Sequence, residues 1–129
     1  QIIGEEFIQS SENVLDYLRH NLRDRGREVF LVVLLNGRNQ VLDIVELFEG
    51  TLTTSAVYPR EVIKLILEKD AAAVIFVHNH PSGNPNPSKD DKNLTLKLKA
   101  ACSTIDVQLH DHLIIAGNDY TSMADKGMV

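Results

Sequence analysis

A chain of 129 residues, 43% of them hydrophobic, suits one domain built round one core. No apolar run approaches the length of a membrane-spanning helix and no cleavable signal pattern appears, so no membrane partner is expected. The net charge of −5, with Lys89, Lys92, Lys97 and Lys99 set among neutral or acidic residues, argues against a phosphate-binding stripe, and the single Cys102 cannot form an internal disulfide, so a reducing cytoplasm is the expected setting.

The first predicted element is a helix capped by Ser11 and running to about Arg23, with Val14, Leu15, Leu18 and Leu22 inward, His20 solvated, and Gly26 as its stop. Val29 to Leu35 then read as a buried strand, with Glu28 at its entry. Asn36 to Asn39 form a hairpin turn, so residues near Glu46 to Glu49 return to the edge where Glu28 lies. Phe48 to Tyr58 make a loop suited to be the lip of a site. Pro59 starts a helix over PREVIKLILEKD with Val62, Ile63, Ile66 and Leu67 as its apolar stripe. Ala71 to Val77 form a second buried strand, ended by the run HNHPSGNPNPSKDD. Ser88 then caps a helix to about Cys102, with Leu94, Leu98 and Ala101 or Cys102 inward; Cys102 is a core residue rather than a nucleophile. Leu109 to Ile115 close the series. His110 and His112 share a face if this segment is a regular strand, although His110 beside Asp111 also suits an exposed turn, and Asp111 or His112 suits a supporting role.

The run from His78 to Asp91 carries the chemistry. Side chains at i and i+2 of an extended chain point the same way, so His78 and His80 can converge on one ion, and Pro81 holds His80 in extended geometry. By itself Ser88-x-x-Asp91 is ordinary helix capping, and a lone HxH is a polar strand boundary. Together they bring two imidazoles and a carboxylate to one place, which describes a zinc site with an open fourth position. Other metal-site patterns fit less well. HNH nucleases spread those letters over a ββα unit, a deaminase needs HxE with PCxxC, and a zincin needs HExxH.

HxHP, a spacer and SxxD resemble the signature of the JAB/MPN+ (JAMM) metalloproteases, and HNHPSG with the downstream PS and Asp resembles its RadC branch. The stretches EVFLVVLLN, FEGTLTTSAVYPREV and DHLIIAG are similar to RadC segments in the same order, so the resemblance spans roughly residues 27 to 129. It implies an α/β fold, a JAB/MPN-like sandwich of the cytidine-deaminase-like kind, with a mixed, largely antiparallel sheet flanked by helices. It implies a single domain over residues 1–129, with residues 1–26 as a helical lead-in and the further upstream helical region of the family absent.

The resemblance also implies the roles. His78, His80 and Asp91 hold Zn2+, Glu28 is the general base, and the Ser88 hydroxyl stabilises the oxyanion of a peptide or isopeptide bond under attack. Sheet geometry alone leaves Glu46 open as the base, and Ser88 must combine its capping and donor roles through different parts of one hydroxyl. The expected partner is a peptide or protein substrate. A DNA-repair accessory or nucleic-acid-binding module is the alternative suggested by the family name, and a one-ion nuclease is a weaker one.

Overall fold

The structure, a computed structural model, describes residues 11–129, with side chains of the first helix described from Val14 onward. The elements are α1 (Ser11–Leu22), β1 (Val29–Leu35), β2 (Val41–Glu49), α2 (Pro59–Lys69), β3 (Ala73–Asn79), α3 (Lys89–Ser103), β4 (Gln108–Ala116) and β5 (Asp119–Ser122). They build one sheet in the order β2-β1-β3-β4-β5. The β2/β1, β1/β3 and β4/β5 pairs are antiparallel and β3/β4 is parallel. The parallel pair needs a long crossover, and α3 supplies it. This is the α/β, mixed and largely antiparallel arrangement that the family resemblance implies.

β1 is buried at every position because both of its faces are covered. Val29, Leu31, Val33 and Leu35 pack on the side of Leu18 and Leu22 of α1. Phe30, Val32 and Leu34 pack on the other side with Val62 and Ile66 of α2 and Leu94, Leu98 and Cys102 of α3. The same alternation governs β3, where Val74 and Phe76 belong to the α2/α3 side and Ala73 and Val77 to the α1 side. His78 therefore comes next in the row that faces α3. The apolar pattern of β3 thus decides where the first histidine points.

Several local expectations shift. The expected Ser11 cap lies outside the described side chains, as do residues 1–10 of the expected lead-in. The first helix ends at Leu22, ahead of Gly26, which is not among the residues of positive φ. α2 buries Val62 and Ile66 but leaves Leu67 64% exposed, because Leu67 lies about 100° round the helix from Ile66. The strand expected from Ala71 begins at Ala73, with the Ala72 N–H already bonded to Leu35 O at 2.8 Å. The Asn36–Asn39 turn forms as expected, with Asn36 Oδ1 accepting from the Arg38 and Gln40 N–H groups and Asn39 at φ 61. Among the described residues no helix is long and apolar enough to cross a membrane.

Candidate metal centre

β3 delivers His78 and His80 at its carboxyl end, and the first turn of α3 delivers Asp91. His78 Nε2 lies 3.1 Å from His80 Nε2 and 3.1 Å from Asp91 Oδ1, while His80 Nε2 lies 2.9 Å from Asp91 Oδ2. The His78 and Asp91 side chains are 0% and 1% exposed and His80 is 12% exposed, so the cluster meets solvent on the His80 side. His80 is itself pinned: its ring Nδ1 lies 2.7 Å from Asn84 O, and its backbone N–H bonds Ile115 O. A carbonyl only accepts, so Nδ1 carries the proton and Nε2 is the atom turned to the cluster.

The electrostatics favour a cation among these donors. Burial alone would raise the Asp91 carboxyl, but the His78 and His80 imidazoles beside it outweigh burial and hold the group well below the usual carboxylate range. The Asp91 hydrogen bond in turn raises the His80 imidazole above its ordinary value, against burial. Donors about 2.0–2.1 Å from a tetrahedral zinc lie roughly 3.3 Å apart, close to the separations seen here, and two imidazoles with one carboxylate are a usual zinc donor set. The residues present fit such an ion.

Glu28 stands at the entry of β1, half-buried, on the same edge. One of its carboxylate oxygens and the two histidine nitrogens lie within 4.8 Å of one another. Asp91 lies closer to the same nitrogens, so the two carboxylates share the histidine pair unequally. Glu28 Oε1 accepts the Leu52 N–H at 2.9 Å, which ties it to the loop of residues 50–58. Thr54 Oγ1 donates to Asp90 Oδ1 at 2.6 Å, and Lys97 Nζ donates to Thr54 O at 2.7 Å. The stretch expected as a lip is thus fastened beside the cluster. Glu46, the alternative base, is exposed and bonded to Arg25 at 3.3 Å.

No motif in the sequence singles out Asn79, which lies between the two histidines. It is 2% exposed, and its amide brackets Glu28: Oδ1 accepts the Val29 N–H at 2.7 Å and Nδ2 donates to Arg27 O at 3.0 Å. The side chain continues the β1/β3 pairing beyond Phe30↔His78, so the backbone of Glu28 is locked to the strand that carries both histidines. A buried amide ending an apolar strand was the signal available.

Ser88 is the N-cap of α3 in a reciprocal capping box. Its Oγ accepts the Asp91 N–H at 3.0 Å, and Asp91 Oδ2 accepts the Ser88 N–H at 2.8 Å. The hydroxyl therefore uses an acceptor lone pair for the cap and keeps its proton for another partner.

The second HxH segment does not form a metal pair. Leu109 pairs with Val74 and Asp111 with Ile75, which leaves His110 as an extra residue in a bulge. Leu109 and His112 both face α3, whereas His110 lines a shallow cavity with Val33, Leu35 and Ile75 and bonds Asn39 Oδ1 at 2.8 Å. His110 is thus within a strand, not in an exposed turn. Asp111 accepts from Ser122 Oγ and the Ala124 N–H, which fastens the chain after β5. His112 is wholly buried, with its ring 2.7 Å from His78 Nδ1 and 2.6 Å from Thr95 Oγ1. Burial pushes its imidazole well below the ordinary value and so keeps it neutral.

Residues 8–128 match the family model of the RadC-like JAB domain. The chain is 51% identical to a UPF0758 protein of Shewanella baltica over 114 residues, 88% of this chain and 51% of that protein. It is 50% identical to a UPF0758 protein of Shewanella woodyi over 114 residues, with the same shares. A UPF0758 protein of Shewanella amazonensis is 48% identical over 122 residues, 95% of this chain and 54% of that one. The chain spans about half the length of these curated relatives. A match over nearly every residue, on a sheet that gathers the histidine and carboxylate donors at one edge, leads to one conclusion: the chain belongs to the RadC-like JAB domain family.

Proposed function

We propose that this domain is a zinc-dependent hydrolase acting on a peptide or isopeptide bond, with His78, His80 and Asp91 as the zinc ligands. The observation that carries the reading is the convergence of those three side chains, with separations of 2.9 and 3.1 Å, beside a glutamate held a little farther out. When bound, zinc would polarise the substrate carbonyl and lower the pKa of a water toward neutrality. Glu28 accepts the proton of that water and passes it to the leaving amine. The Leu52 N–H and the Asn79 bracket keep its carboxylate from turning away, which supports the choice of Glu28 over Glu46. The Ser88 hydroxyl donates a hydrogen bond to the carbonyl oxygen as negative charge builds there, while its lone pair keeps the cap.

The test is Glu28→Gln in a peptide-library and isopeptide cleavage screen, with metal content measured in parallel. The expected outcome is cleavage by the native protein, and zinc content kept with turnover lost in the variant. Full turnover in Glu28→Gln assigns the proton transfer to another residue. A native protein that holds zinc but cleaves nothing, and that binds DNA at physiological salt, favours the accessory-module reading.

A further inference from the structure

Behind the proposed ligand His78 lies a buried chain of polar groups that the hydrolytic reading does not use. His78 Nδ1 is 2.7 Å from His112 Nε2, His112 Nδ1 is 2.6 Å from Thr95 Oγ1, and Thr95 Oγ1 is 2.7 Å from Asp91 O. His78, His112 and Thr95 are each 0% exposed, so no water from bulk solvent substitutes for any of these bonds. Thr95 falls one turn after Asp91 on the inward face of α3. Phe30 and Phe76 meet the His112 ring edge to face, at 5.9 and 6.1 Å between centroids. The ring is thus fixed in orientation as well as in its bonds.

The direction of every proton in the chain follows from its far end. Asp91 O is a carbonyl and can only accept, so the single proton of the Thr95 hydroxyl goes to it. The close contact between Thr95 Oγ1 and His112 Nδ1 then needs a proton from the ring, which puts it on Nδ1. A neutral imidazole protonated at Nδ1 has a bare Nε2. His112 Nε2 therefore accepts, and His78 must place its own proton on Nδ1. His78 Nε2, which faces His80 and Asp91, is left as the ligating atom.

We infer that His112 and Thr95 are positioning residues for the metal centre: through a one-way hydrogen-bond chain anchored on Asp91 O they hold His78 in the tautomer that offers Nε2 to an ion. The same chain returns to the backbone of Asp91, so two of the three proposed ligands are braced by one network. This inference rests on the assignment of His78 and Asp91 as ligands, and the chain that supports it is formed by residues from β3, β4 and α3.

Metal-free and zinc-loaded protein, compared by nitrogen-resolved NMR of the histidine rings and by zinc titration against a competing chelator, give the test. The expected result is a proton on Nδ1 of His78 in both forms. Thr95→Val keeps shape and burial but removes the anchor, and is expected to disturb that proton placement and weaken zinc binding by about 10–100-fold. His112→Phe, which keeps the aromatic contacts, is expected to do the same. His112→Gln, with a carbonyl to accept from His78 and an amide to donate to Thr95, is expected to recover most of the affinity. A His78 ring protonated only on Nε2 in the native protein overturns the inference, as does a Thr95→Val variant that folds with proton placement and affinity unchanged. Should His112→Phe fail to fold, Thr95→Val decides alone. A native protein with His78 protonated on Nδ1 that takes up no zinc sinks the hydrolase reading while leaving the tautomer lock in place.

Discussion

The chain contains the pattern His-x-His twice, and the sheet treats the two copies in opposite ways. At the end of β3 the pleat is unbroken, both imidazoles emerge on the α3 side, and their Nε2 atoms stand 3.1 Å apart. In β4 an extra residue enters at His110, the alternation slips by one, and the two rings leave on opposite faces. Spacing in sequence becomes proximity in space only where the strand keeps its register. The split has a use, because it turns His112 inward beneath α3 as the support of His78 while His110 caps the loop at Asn39.

His80→Ala removes a ring nitrogen held between His78 and Asp91 and should weaken zinc binding at least about 100-fold by chelator competition, since lesser changes behind a ligand already cost about 10–100-fold. Ser88→Ala separates the cap from the chemistry. It should lower unfolding free energy by about 1 kcal/mol in denaturant titration and also slow turnover, whereas Ser88→Asp should restore stability as a good cap without restoring turnover, having no proton to donate. Deleting His110 sharpens the contrast further. The deletion leaves Leu109 opposite Val74 and Asp111 opposite Ile75, so the ladder becomes regular and His112 keeps its face. Zinc affinity within a few-fold of native is expected, and a loss as large as that of His80→Ala would show that the bulge itself shapes the centre. The smallest effect lies deeper on α3, where burial pushes the Cys102 thiol up to about 11. The folded protein should resist thiol alkylation at pH 8 and react only on unfolding, as followed by mass spectrometry.

Much of this was legible in the residues. The apolar runs announced β1 and β3, the proline and glycine clusters marked the loops, and Ser88 with Asp91 announced the capping box, because each is a local rule that burial does not override. The His78, His80 and Asp91 cluster followed from strand period plus helix cap. What stayed hidden depends on contacts between distant elements. Strand geometry alone leaves Glu46 open beside Glu28 as the base, since the hairpin returns both to one edge, and only the pairing of β1 with β2 and β3 brings one near the histidines and the other to Arg25. Asn79 reads as a spacer until the start of β1 is seen to end inside its amide. The bulge at His110 has no glycine or proline to announce it, so the residues leave both a regular strand and an exposed turn open. Leu67 fits an apolar stripe but sits outside the arc that α2 turns to the sheet.

Under the proposed function one of the two His-x-His segments holds a metal and the other does not. Zinc content of the purified native protein, His78→Ala and His110→Ala, measured by inductively coupled plasma mass spectrometry, tests it directly. About one zinc per chain is expected in the native protein and in His110→Ala, and essentially none in a folded His78→Ala. Equal zinc in the native protein and His78→Ala, or loss of zinc in His110→Ala alone, would contradict it.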